Sequence, residues 1–272
     1  MDVYGIDYTS TPTARKPIVC LHAKLTGMRL VAHAVLRLPT QEAFEQALLT
    51  PGPWVAGLDF PFGQSRRFIE NASLPDDWAD YVRFLGSKDR RVFRRLLEDY
   101  KRDRPAGDKH HRRRCDRLTR SQSPQTLYGT PVGLMFHEGA PRLLKSGVAV
   151  PLHRWGQGDR IALEAYPGFV ARQLIGRDSY KSDTSSKQNR SRLRARHSLY
   201  DHLTGPSGRA LFGLHIAAPK VFCDDPTGDT LDALICAAQA AWGWRRHSIN
   251  YGAPPDWDPL EGWISSPGLD SG

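Results

Sequence analysis

The chain predicts an α/β fold, a mixed sheet flanked by helices, and three observations point there. Two short apolar runs, Val3-Tyr4-Gly5-Ile6 and Trp54-Val55-Ala56-Gly57-Leu58, each close on an aspartate, Asp7 and Asp59. Both read as buried strands that carry a carboxylate at their last residue. Residues 18–25 and 28–36 are apolar on either side of Thr26-Gly27, the pattern of a hairpin. Residues 229–244 form a helical run rich in Ala, Leu and Ile, with Asp229 and Asp232 three apart at its head.

Taken in order, strands are expected at 2–8, 18–25 and 28–36. Thr40 then caps a helix over 41–49, which Pro51-Gly52-Pro53 stops, and a fourth strand covers 54–59. The opening is therefore β-β-β-α-β. Phe60-Pro61-Phe62-Gly63 makes a turn, and helices follow over 64–71, 76–85 and 87–102, the last capped by Ser87. Residues 103–127 are polar and basic enough to read as loop. A strand returns at 160–165, followed by helices over 168–175, 186–203 and 229–244; the tail from Tyr251, rich in Pro, Gly and Trp, reads as a packed loop. The 272 residues, 40% of them hydrophobic, suffice for one large domain, with 64–150 as a basic, mainly helical insertion after the fourth strand.

No run approaches the roughly 18 apolar residues of a membrane span, and no basic segment precedes an apolar one at the N-terminus. A soluble cytoplasmic protein without a membrane partner is the expectation. Cys20, Cys115, Cys223 and Cys236 are scattered without metal-ligand spacing, so neither zinc nor a disulfide framework is supported. His110 and His111 near Cys115 read as part of a solvated basic loop.

Net charge is +9, and between Lys88 and Arg120 fourteen basic residues face six acidic ones, which accounts for nearly all of it. A second basic stretch runs through Lys181, Lys187, Arg190, Arg192, Arg194 and Arg196. Such runs are commonly solvated helix faces, but clustered arginines also hold phosphate in bidentate fashion. Arg112, Arg113, Arg114, Arg117, Arg120, Lys181 and Lys187 are the candidate contacts to a nucleic acid, DNA or RNA.

The carboxylates carry the chemistry. If the strands ending at Asp7 and Asp59 are parallel neighbours, both side chains emerge at the carboxyl edge, where open α/β sheets bind ligands. Asp229 and Asp232 share one helix face. Like charges brought together raise one another's pKa unless a cation neutralises them, and a hard divalent ion, Mg²⁺ or Mn²⁺, suits an all-oxygen set. This pattern predicts a metal-dependent phosphodiester-cleaving site.

The β-β-β-α-β opening with its two strand-terminal aspartates resembles the RNase H-like fold, and the Asp229-Thr-Leu-Asp232-Ala-Leu helix resembles that of the RuvC-type resolvases. Val3-Tyr4-Gly5-Ile6-Asp7, Gly57-Leu58-Asp59-Phe60-Pro61-Phe62-Gly63, Arg114-Cys115-Asp116, Glu164-Ala165-Tyr166-Pro167, Asp229-Thr230-Leu231-Asp232-Ala233 and Glu261-Gly262-Trp263-Ile264 resemble, in order, the family called domain of unknown function 429, described as predicted nucleases. The resemblance implies a five-stranded sheet of order 3-2-1-4-5. It implies Asp7, Asp59 and Asp232 as metal ligands, Asp229 assisting, Glu164 orienting the water, and products with a 5′-phosphate and a 3′-hydroxyl. Asp59 stands where resolvases carry glutamate.

Each residue has a plainer role open to it. Asp7 and Asp59 are placed to organise turns, and Asp229 to cap its helix. Glu164 is either a base or a hydrogen-bonded structural carboxylate, and Arg114 with Asp116 either an internal ion pair or a phosphate clamp. The rival to a nuclease is a catalytically silent nucleic-acid-binding or regulatory module of the same fold. An actin-like phosphotransferase is disfavoured, because Tyr8-Thr9 follows Asp7 where that branch has glycine.

Overall fold

The computed structural model describes residues 1–269. Strands β1 (Asp2–Asp7), β2 (Ile18–Thr26) and β3 (Arg29–Leu38) form an antiparallel meander. Gly27, at φ +55°, makes the tight turn between the last two. Helix α1 (Gln41–Leu48) follows, with the Thr40 hydroxyl accepting from the Ala43 N–H at 3.1 Å. Strand β4 (Trp54–Leu58) returns parallel to β1, and β5 (Arg160–Glu164) lies parallel beyond it. A sixth strand, β6 (His215–Ala217), pairs parallel with β3, so the sheet order is β5-β4-β1-β2-β3-β6. The five strands expected are thus joined by another, three residues long and too short for period-two patterning to reveal.

Helices α2 (Arg66–Asn71), α3 (Trp78–Gly86), α4 (Arg90–Arg102), α5 (Arg114–Thr119) and α6 (Val132–Ser146) fill the long segment between β4 and β5. Helix α4 starts three residues later than expected because Asp89, not Ser87, is its cap; the carboxylate accepts from the Arg91 and Val92 N–H groups. Two helices of this segment were hidden in the sequence. Helix α5 lies inside the stretch that reads as loop, and α6 carries Gly133, Gly139 and Pro141, which weaken its helical signature. Gly139 is required by packing, since a Cβ there would lie 2.5 Å from the Phe60 ring.

The insertion is built into the core. Phe68, Tyr81, Leu85, Phe93, Leu97 and Phe136 join Ile6, Ile18, Cys20, Ala56 and Leu58 in one apolar layer on one face of the sheet. Each large side chain fully buried this way contributes about 1.5–3 kcal/mol. Arg91, Arg94, Arg95 and Arg102 of α4 lie on its outer side, where Arg94 pairs with Glu98 and Arg102 with Asp99, while Arg90 reaches inward to Ser10 and Glu138.

The opposite face carries α7 (Pro167–Ile175), α8 (Arg190–Thr204), α9 (Pro206–Phe212) and α10 (Asp229–Trp244), packed on Val3, Val19, Leu21, Val55 and Leu163. Helix α10 runs across β1, β4 and β2 and is buried along almost its whole length. The tail closes the molecule: Trp263 and Ile264 are buried, and the Ser265 N–H donates to the Glu164 carbonyl at 2.8 Å, beside β5.

Candidate functional site

Two glycines set the site's geometry. Gly5 and Gly57 are register partners in β1 and β4, each two residues before its aspartate, so Gly5 and Asp7 share a sheet face, as do Gly57 and Asp59. A Cβ on Gly5 would lie 1.8 Å from the Ala233 carbonyl oxygen, and one on Gly57 2.2 Å from that of Cys236. The α10 backbone therefore rests directly on the strands. That close approach brings the first turn of α10, with Asp229 and Asp232, to the edge where Asp7 and Asp59 emerge.

The beginning of α10 is held by a residue absent from the sequence expectations. Asp229 is the first helical residue, and Gly228, at φ +81°, occupies the cap position. The buried carboxylate of Asp225 accepts from the Thr227 N–H and hydroxyl at 3.1 and 2.6 Å, and from the Thr230 N–H and hydroxyl at 3.0 and 2.6 Å. Burial opposes its ionisation, but these donors hold its pKa below the ordinary value. Asp229 is thereby released from capping.

Among the described residues neither Asp7 nor Asp59 has a hydrogen-bond or ion-pair partner for its carboxylate. Burial, then the charge of Asp229, raises the Asp7 pKa well above the ordinary range, with Asp232 and Asp59 adding to it. Burial pushes Asp59 up to about 7; Lys181 opposes the shift, and Asp232, Glu164 and Asp229 reinforce it. Asp229 rises to about 6 through burial and its neighbours Asp225 and Asp232. Asp7, Asp59 and Asp229 thus share one electrostatic environment and resist full ionisation.

Asp232 is occupied. The Tyr180 hydroxyl donates to its Oδ1 at 2.5 Å, and the Lys181 ammonium is in contact with its Oδ2. Lys181, expected as a phosphate contact, reaches this carboxylate while 42% of its side chain stays exposed. Its side-chain stem packs so closely on the α10 cap that a Cβ at Gly228 would lie 2.7 Å from the Lys181 Cβ.

Glu164 is also committed, to a structural network. Its carboxylate accepts from Arg113 Nη1 and Nη2 at 2.7 and 2.5 Å and from the Phe62 N–H at 2.9 Å. The same guanidinium donates to Asp116 from Nε and Nη2 at 3.0 and 2.9 Å, and is 1% exposed. Burial works against the Arg113 charge, yet Asp116 and Glu164 keep its pKa well above the ordinary value. Arg113 therefore faces inward, not toward a phosphate backbone, and it is Arg113, not Arg114, that pairs with Asp116. Glu164 has no free oxygen pointed at a water; it fixes the turn Phe60–Gly63 that follows Asp59.

Arg114 sits at the surface, donating to Asp256 at 2.8 Å with its guanidinium 5.6 Å from the Trp263 ring. Arg112 and Arg117 are exposed and line a shallow hollow with Arg67, His110 and His111. Arg120 and Lys187 are exposed as well. Glu261, which the sequence marks only as part of a motif, ties the tail to the starts of α2 and α5. Its carboxylate accepts from the Arg66 N–H at 2.8 Å and the Arg114 N–H at 3.0 Å.

Asp59, Glu164 and Lys181 border a cavity of about 220 Å³. Among the described residues no group of three His, Cys, Asp or Glu side chains is arranged to hold a metal ion. Lys181 pairs with Asp232 and Arg113 with Glu164. Asp7 and Asp59 nevertheless fit a hard cation in their chemistry, as unpartnered oxygen donors whose ionisation is suppressed, and Mg²⁺ commonly takes only one or two protein carboxylates beside its waters.

Among the described residues no helix is long and apolar enough to cross a membrane. No family model, curated protein or solved structure matches the chain.

Proposed function

We propose that the chain is a nuclease of RNase H-like architecture that hydrolyses phosphodiester bonds in nucleic acid with Mg²⁺ or Mn²⁺ held by Asp7 and Asp59. The observation that carries this reading is the pair of unpartnered, charge-suppressed carboxylates at the carboxyl ends of adjacent parallel strands. The strand run β5-β4-β1-β2-β3 and the acidic first turn of α10 support it.

The bound cation would neutralise the phosphate and acidify the attacking water. Asp229, raised to about 6, is poised to take a proton from that water at its carboxylate near neutral pH. Lys181, half in solvent, leaves Asp232 for a phosphate oxygen, which frees Asp232 to join the acidic set. Glu164 acts through position, by anchoring the turn beyond Asp59. Exposed Arg112, Arg117, Arg120 and Lys187 contribute the salt-dependent attraction for the backbone.

One observation favours the rival reading, a nucleic-acid-binding or regulatory module without turnover: the Lys181 ammonium already supplies a positive charge within the acidic cluster. Cleavage of labelled single strands, duplexes, RNA–DNA hybrids and four-way junctions in Mg²⁺ and Mn²⁺, beside Asp7→Asn, separates the two. Cleavage by the parent and not by Asp7→Asn is expected. Salt-sensitive binding without cleavage under any condition establishes the silent module instead.

A further inference from the structure

The cavity beside Asp59 is more specific than a backbone-binding groove requires. Its walls are mainly apolar, from Phe60, Pro61, Val132, Met135, Tyr166 and Ile264. At about 220 Å³ it has room for a planar ring system. A charge-only site for a phosphate chain has no use for such walls.

The cavity is also built to stay open. Its base includes Arg113, Asp116 and Glu164, the fully buried ion network, which cannot collapse inward without breaking several charge-assisted bonds. Tyr166 is held by Gln239, whose Oε1 accepts its N–H at 3.1 Å, and the Arg172 guanidinium lies 5.6 Å from its ring. Exposed Gln122 and Thr130 stand at the mouth as polar groups, while Asp59 and Lys181 border the same space.

We infer that this cavity receives a single nucleobase, splayed out of a single strand or a strand end, and so seats the adjoining phosphate at Asp7 and Asp59. The inference rests on the nucleic-acid reading above and narrows its substrate class. A base stacked within a duplex cannot enter a recess in the protein surface; it must first leave the stack. Stacking on aromatic and apolar walls is tolerant of base identity, so single strands of any sequence are accommodated.

The test is binding, measured without turnover. Fluorescence anisotropy in EDTA compares a labelled thymidine hexamer with a hexamer of abasic sugar-phosphate carrying the same charges. The base-bearing strand is expected to bind about tenfold to a hundredfold more tightly. Met135→Trp, which fills the cavity, should reduce it to the abasic level while leaving the salt dependence unchanged. Thr130→Trp, at the exposed mouth, serves the same purpose should the buried substitution fail to fold. Equal affinity for the two hexamers, or full base preference in a folded filled variant, overturns the inference. Cleavage with Mn²⁺ is scored separately: base-dependent binding without cleavage removes the nuclease and keeps the cavity's role, and cleavage with base-independent binding does the reverse.

Discussion

Replacing Asp59 by asparagine should stabilise the protein at alkaline pH and do nothing in acid. In the folded chain the Asp59 carboxyl is pushed from 3.8 to about 7, chiefly by burial. Between those values the native state binds more protons than the unfolded chain, so unfolding free energy falls as pH rises through that window. Each pKa unit corresponds to about 1.36 kcal/mol, which makes the ionised carboxylate cost up to about 4 kcal/mol above pH 7. Asparagine keeps the shape and removes the charge. The variant should match the parent near pH 4 and exceed it by about 2–4 kcal/mol at pH 8, as read by urea denaturation in EDTA. Saturating Mg²⁺ should shrink the difference, because only the parent gains the compensating charge. A variant no more stable than the parent at pH 8, or equally stabilised at both pH values, would refute the picture of a strained acidic cluster.

Gly5→Ala should destabilise by about 3 kcal/mol or more in the same denaturation assay, since its methyl group would lie 1.8 Å from the Ala233 carbonyl and α10 must lift off the sheet. Arg113→Met should cost about 3–5 kcal/mol by leaving two buried carboxylates without their cation, and unchanged stability would mean the network is not intact in solution. Lys181→Met removes the charge that opposes the raised pKa values of Asp7 and Asp59, so the loss of stability with rising pH should become steeper, and Mg²⁺ should restore more of it. Calorimetric titration with Mg²⁺ at pH 8 checks the second half of that statement; no gain in affinity over the parent would count against it.

Much of the architecture was legible because local patterning and tertiary demand agree. The apolar runs ending at Asp7 and Asp59, the hairpin around Gly27, and the helix from Asp229 are each announced by periodicity and turn chemistry within a few residues. Helix α6 and strand β6 were not, for opposite reasons. Glycines and a proline kept for packing hide the helix, and the strand is too short to have a period.

The site divides along the same line. Sequence alone determined which carboxylates stand at strand ends and on a helix face, because those positions follow from periods of two and 3.6 residues. Only the tertiary structure decided their state. Arg113 lies 51 residues from Glu164, and Lys181 51 from Asp232, and no local pattern reports which cation each carboxylate finds. Those pairings set Glu164 into the scaffold, left Asp7 and Asp59 without partners, and kept open the cavity beside them. Long-range partners are chosen by packing, through the contact of α10 with Gly5 and Gly57, and it is this contact that turns four separate aspartates into one acidic site.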